Sequence, residues 1–287
     1  MERIGFIGVG SIGGAMARCV IRAGFKVTIC DKSPRAQEEF KKIAFRVTDK
    51  AADCADQEMV IVMVASDDQV KAVMLGKDGL LEAVDPKRPP LLAIMSTILP
   101  QTTQALAPFC AKKNVRLIDA TVSGLPVVAE QGKLTIMAGG DPADFEAMLP
   151  VLKTMGENIF QTGALGSGNV TKLVNNIVGV ANLFLSVEAM ALAKKFGMDL
   201  HKLAAIMETA SGRNFSTKDW DRGKATFNYF GQNLDLAKVL VDLTRKDLQH
   251  AQEMARQAGS PCPVVDHIVE ALNKITYEEL KESWGSI

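Results

Sequence analysis

Over the first 163 residues, short apolar runs alternate with longer stretches in which apolar residues recur every three or four positions. The runs at 4–7, 26–30, 59–64, 91–95, 115–119, 134–138 and 159–161 read as strands. Several are continuously apolar, as strands covered on both faces should be. Between them, 13–23, 34–42, 68–75, 101–112 and 142–152 read as crossover helices, which predicts an α/β domain with a doubly wound parallel sheet over residues 1–163. Beyond Gly163 no β-rich run appears. Helical periodicity takes over at 169–196, 200–211, 234–257, 263–273 and 277–282, so residues 164–287 are expected to form an all-helical domain. The change falls at Gly163, Gly166, Ser167 and Gly168, without a long linker.

Two segments resemble membrane signals. The N-terminus has Arg3, an apolar stretch and Ala15-Met16-Ala17, but Gly5, Gly8, Gly10, Gly13 and Gly14 would weaken the helix a secretory signal needs. The apolar run 173–193 is broken by Asn175, Asn176, Asn182, Ser186 and Glu188, and is expected to be a buried helix of a soluble protein. Its part 177–193 is apolar around most of its circumference, which predicts a subunit contact and hence a homo-oligomer, dimer or tetramer.

Composition narrows the partners. The 287 residues carry 33 basic and 33 acidic side chains, and no basic stripe that nucleic acid would require. The five cysteines are scattered without C-x-x-C or C-x-x-H spacing, so neither a disulfide framework nor a metal site is indicated. A reducing, cytoplasmic location is expected.

Gly8-Val9-Gly10-Ser11-Ile12-Gly13 fits G-x-G-x-x-G, with an apolar strand before it, a helix after it, and Asp31 at the end of the next strand. The first glycine allows the tight turn, the second lets backbone approach a pyrophosphate, and the third lets helix and strand pack, which makes the sheet Rossmann-type. A carboxylate at Asp31 can accept hydrogen bonds from the adenosine ribose and repels a 2′-phosphate, favouring NAD. Lys32 and Arg35 lie close enough to leave NADP open.

Gly168, Lys172 and Asn176 are spaced i, i+4, i+8 and share one helix face, expected to border the cleft between the domains. An ammonium and an amide one turn apart could hold a substrate oxygen and carry a proton to or from it. Hydride transfer between an alcohol and a carbonyl needs that proton moved.

Three segments together resemble the 3-hydroxyacid dehydrogenase family. They are the opening Gly5 to Gly13, with Ile12 where Met is usual; Asp119-Ala120-Thr121-Val122-Ser123-Gly124 followed by 132–140; and Gly168-Asn169-Val170-Thr171-Lys172-Leu173-Val174-Asn175-Asn176. The resemblance implies NAD-dependent oxidation of a small carboxylate, a short 3-hydroxyacid, to its semialdehyde, or the reverse. It implies Lys172 as general acid/base, Asn176 as its partner, and Ser123 and Gly124 as the grip on the substrate carboxylate. Thr97 is implied near the nicotinamide ribose and Lys246 near the cofactor. Substrate identity is expected to depend on 211–216 and Trp220, with Arg213 as a second anion contact unless it pairs with Asp219 or Asp221. Leu125 stands where the family has a second glycine. Related alternatives are a decarboxylating sugar-phosphate dehydrogenase, which usually has His where this chain has Asn175, and an imine reductase, which commonly lacks the lysine. A nucleotide-binding module without catalysis is a third.

Overall fold

The computed structural model describes residues 2–285. The chain divides into two compact units, Met1–Lys172 and Leu173–Ile287. The first holds eight strands: β1 (Arg3–Ile7), β2 (Lys26–Cys30), β3 (Arg46–Thr48), β4 (Met59–Val62), β5 (Leu91–Ile94), β6 (Arg116–Ser123), β7 (Leu134–Gly139) and β8 (Gly156–Gly163). Its helices are α1 (Ser11–Arg22), α2 (Pro34–Phe40), α3 (Asp67–Leu75), α4 (Leu80–Ala83), α5 (Pro100–Ala111), α6 (Pro126–Glu130), α7 (Pro142–Met155) and the first turn of α8 (Ser167–Lys195).

The strands form one sheet in the order β3-β2-β1-β4-β5-β6-β7-β8. Alternation along each strand splits the core in two. Ile4, Phe6, Ile29, Met59 and Ile61 belong to one apolar layer; Ile7, Cys30, Val60, Val62, Leu92 and Ile94 belong to the other. Helix starts are set locally, with Ser33, Ser66 and Asp141 each accepting an N–H of the helix that follows.

The sheet is parallel from β3 through β6, as expected, and then reverses. β7 runs antiparallel to β6, and β8 follows β7 in parallel. The physical reason is the connection. Ten residues separate β6 from β7, and a parallel return needs a crossover of about a dozen or more. The reversal also lengthens β6, because Ala120 to Ser123 pair with β7. Ser123 is therefore the last residue of the strand, opposite Thr135, rather than a residue of the loop beyond it.

The second unit holds the rest of α8, then α9 (Leu200–Thr209), α10 (Trp220–Gly231), α11 (Leu234–Gln257), α12 (Pro263–Lys274) and α13 (Tyr277–Gly285). Its core gathers aromatic rings around Trp284, with Phe184, Phe227 and Phe230 at centroid distances of 5.7, 5.7 and 6.1 Å. Trp220 joins this core, 6.3 Å from Phe227, so any influence it has on the substrate passes through packing. The expectation that α8 is buried is also corrected: 28% of its most apolar stretch is buried, and Val174, Val178, Leu185 and Leu192 are exposed. All five cysteines are free thiols.

Candidate functional site

The β1–α1 turn fits a dinucleotide. Gly8 has φ +92°, and a Cβ there would lie 2.2 Å from the Met63 carbonyl oxygen, so only glycine can make the turn. A Cβ on Gly13 would lie 2.3 Å from the Gly8 carbonyl oxygen, which lets α1 start hard against the turn. Gly10, the N-cap of α1, faces open space and brings no capping side chain. The first-turn N–H groups around Ser11 and Ile12 are thus available to a phosphate. Val9 is buried, and its N–H donates to Asp31 Oδ2 at 2.8 Å. Asp31 Oδ1 accepts the Ser33 N–H at 2.8 Å. Two backbone bonds hold the carboxylate still, and its remaining lone pairs can take ribose hydroxyls. Arg35 is exposed and faces Glu39 at 3.8 Å.

The loop after β5 is pinned on both sides of Thr97. Ser96 Oγ accepts the Val64 N–H at 2.9 Å, the Ile98 N–H donates to Asn169 Oδ1 at 3.3 Å, and the Leu99 N–H donates to Asp67 Oδ1 at 3.1 Å. Ser96 and Ile98 are buried, while Thr97 between them is half-exposed.

The start of α8 is built on Asp119, a fully buried carboxylate at the centre of β6. Its Oδ1 accepts the Gly166 N–H and its Oδ2 the Asn169 N–H, both at 2.7 Å. A residue fifty positions back thus satisfies the first turn of α8. Burial pushes the Asp119 carboxyl above its usual range, and these N–H donors oppose that rise. Gly168 is glycine because of this contact: a Cβ there would lie 2.4 Å from the Met137 carbonyl oxygen and 2.8 Å from Asp119 Oδ2. Thr121 Oγ1 donates to the Gly168 carbonyl at 2.9 Å. Lys172 follows one turn along, half-buried.

Gly124 has φ +151°, and a Cβ there would meet Leu134 at 2.6 Å. Leu125 has φ −79° and ψ 163°, an extended conformation open to any residue. Its departure from glycine therefore carries no backbone strain.

In the second unit, Asn176 Nδ2 donates to Asp247 Oδ2 at 2.7 Å, and Lys246 Nζ lies 3.1 Å from Asp247 Oδ1. Asp247 is buried and joins two residues that the sequence singled out separately. Arg213 is paired with neither Asp219 nor Asp221; its Nε lies 2.9 Å from Glu208 Oε1. An acid on α9, outside the stretch considered, takes it. Asp119, Asn169 and Asp247 received no role from the sequence. Asp119 alone had a signal, as a carboxylate directly between the apolar run 115–118 and Ala120, Thr121 and Val122.

Residues 3–163 match the family model described as the NAD binding domain of 6-phosphogluconate dehydrogenase. Residues 166–284 match the one described as NAD-binding of NADP-dependent 3-hydroxyisobutyrate dehydrogenase. The dinucleotide of the glycine loop is accordingly NAD, with NADP open. A 3-hydroxyisobutyrate dehydrogenase of Pseudomonas aeruginosa is 37% identical over 75% of this chain and 72% of its own length. An NAD-dependent L-serine dehydrogenase of the same organism is 30% identical over 92% of this chain and 89% of its own. Among solved structures, the Mycobacterium tuberculosis 3-hydroxyisobutyrate dehydrogenase with L-serine covers 99% of both chains with a TM-score of 0.82 at 23% identity. Imine reductase from Myxococcus stipitatus, in complex with NADP+, covers 96% of this chain and 93% of its own, scoring 0.64 at 17% identity. The chain belongs to the 3-hydroxyacid dehydrogenase family.

Proposed function

We propose that the protein is an NAD-dependent dehydrogenase interconverting a short 3-hydroxyacid and its semialdehyde. The observation that carries this reading is Lys172, set one turn into a helix whose start is clamped to the sheet by a buried carboxylate. Two relatives are named for 3-hydroxyisobutyrate and L-serine. In those acids the same carbon bears a carboxylate and a CH2OH group, and they differ in its methyl or ammonium substituent. We therefore take 2-substituted 3-hydroxypropanoates as the substrate class.

NAD, when bound, supplies the hydride acceptor, or as NADH the donor. Gly8, Val9, Gly10, Ser11, Ile12, Gly13 and Asp31 would hold its phosphates and adenosine ribose, Thr97 would serve its nicotinamide ribose, and Lys246 is a further cofactor contact that the resemblance implies. In oxidation, Lys172 Nζ takes the proton of the substrate hydroxyl; in reduction it returns that proton to the carbonyl oxygen. A proton-transfer group so placed contributes about 10²–10⁴ in rate. Asn176 steadies the lysine and the hydroxyl. Ser123 Oγ and the N–H groups of Gly124 and Leu125 grip the carboxylate. Arg213 leaves this set, since Glu208 already compensates its charge.

The test is a panel of 3-hydroxyisobutyrate, L-serine, 6-phosphogluconate and a cyclic imine, each with NAD(H) and NADP(H). Turnover of a 3-hydroxypropanoate with preference for NAD is expected. Turnover only of the sugar phosphate or imine, or cofactor binding without turnover, would overturn the reading.

We further propose a homo-oligomer, dimer or tetramer, in the cytoplasm. The exposed stripe Val174, Val178, Leu185 and Leu192 supports the association, because an apolar helix face of this length is costly to leave in water. Light scattering after size exclusion tests it, and a monomer would defeat it. Four buried thiols among five support a reducing compartment, and cell fractionation tests that location.

A further inference from the structure

A buried hydrogen-bond chain joins two segments that the proposed reaction uses separately. Asn169 is fully buried. Its Nδ2 donates to Asp119 Oδ2 at 3.3 Å and to Thr103 Oγ1 at 3.1 Å, while its Oδ1 accepts the Ile98 N–H at 3.3 Å. This arrangement admits one amide orientation. The flipped amide would set Oδ1 against a carboxylate and Nδ2 against an N–H. Among the described residues, the side-chain partners of Asp119 and Asn169 are each other and Thr103, and no cation pairs with either.

We infer that Asn169 is a positioning residue that sets the helix of Lys172 and the loop of Thr97 in one register, with Asp119 as its anchor. Lys172 lies three residues after Asn169, on the next turn of α8. Thr97 immediately precedes Ile98, whose N–H ends on the Asn169 amide. One side chain thus fixes both the proton-transfer group and the loop at the reactive end of the cofactor. A displacement of either by about 1 Å costs on the order of 10²-fold in rate. Asn169 touches neither substrate nor cofactor; it acts through Lys172 and Thr97. The inference rests on the functional reading above.

Two variants test it. Asn169→Leu keeps the volume and removes every side-chain hydrogen bond. Asn169→Asp keeps the shape but sets a second carboxylate against Asp119, so the pair works only while it shares a proton. With that proton, the new hydroxyl donates to Asp119 as the amide did, and the other oxygen still accepts the Ile98 N–H. Kinetics with 3-hydroxyisobutyrate and NAD from about pH 5 to 9 give kcat relative to wild type at each pH. NADH affinity and backbone hydrogen exchange complete the set.

Asn169→Leu is expected to lower kcat about 10–100-fold, with NADH affinity within about threefold because the adenosine half is held elsewhere. In Asn169→Asp the relative kcat is expected to be highest at the acid end and to fall as pH rises. In Asn169→Leu, and in Asn169→Asp at the alkaline end, exchange relative to wild type is expected to quicken together in peptides covering 96–99 and 166–172, and to stay unchanged at 8–13. Wild-type kcat in the Leu variant, a pH-independent ratio in the Asp variant, or unchanged exchange at either segment under those conditions would overturn the inference. If wild-type protein turns over no hydroxyacid, the functional reading fails, and the exchange result still decides whether Asn169 holds the two segments together. If the Asp variant fails to fold, the Leu variant decides.

Discussion

Gly168→Ala and Gly179→Ala are the same substitution in the same helix, and the structure expects them to have opposite effects. In an exposed helix interior, alanine is more stable than glycine by about 0.5–1 kcal/mol. Gly179 meets nothing within 4 Å of the added methyl, so this gain should be realised. At Gly168 the methyl carbon would sit 2.4 Å from the Met137 carbonyl oxygen and 2.8 Å from Asp119 Oδ2, both held in the sheet. Neither neighbour is a flexible chain end, so the start of α8 must move by roughly 0.6 Å or more to restore contact distance. Forced repacking of this kind costs about 1–3 kcal/mol and stretches the bonds from Gly166 and Asn169 to Asp119. Lys172 moves with the turn, and about 10–100-fold in kcat should go with it. Thermal denaturation followed by circular dichroism should show Gly168→Ala lowered by about 3–8 °C, and Gly179→Ala level or raised. A Gly168→Ala protein as stable and as active as wild type would refute the view that this glycine exists to seat α8 on Asp119.

Other predictions address the remaining parts of the site. Asp31→Ala should weaken NADH binding about tenfold or more by dropping two backbone anchors and the ribose acceptor, measurable by fluorescence titration. Gly124→Ala should sharply raise KM for the acid, because φ +151° and the Leu134 side chain reject a Cβ; Leu125→Gly should leave kcat within about threefold. The Glu130 carboxyl is held below its usual range by Arg18, with Arg22 assisting. A lowered folded-state pKa stabilises the fold above the unfolded value of about 4.3 and loses that contribution as pH falls through the folded value. The stability gap between wild type and Glu130→Gln should therefore be present at neutral pH and vanish in acid.

Much of this architecture could be read from local pattern. The strands of the parallel half are short runs that must be apolar on both faces, and the helices between them carry Ser, Asp or Pro at their starts. The glycine loop was legible because its glycines and Asp31 have fixed separations in sequence. β3 was missed because it is a three-residue strand, Arg46–Thr48, with no apolar run. α10 was missed because glycines, charges and aromatics are mixed along Trp220–Gly231, and its aromatics declare themselves only around Trp284. Strand direction leaves no mark on a strand's own residues; the ten-residue link from β6 to β7 held the clue. Asp119 with Asn169, fifty residues apart, and Asn176 with Asp247, seventy-one apart, are partnerships of the fold that spacing cannot show. Arg213 went to Glu208, on the helix before it, rather than to the acids that follow it, because spacing alone does not say on which side the chain folds back.

The role of Lys172 is tested most directly by Lys172→Ala, assayed for NADH formation from 3-hydroxyisobutyrate and L-serine, with NADH affinity measured on the same protein. As the proton-transfer group, its loss should lower kcat by about 10²–10⁴ and leave NADH affinity within a few-fold. Turnover at the wild-type rate would contradict that role.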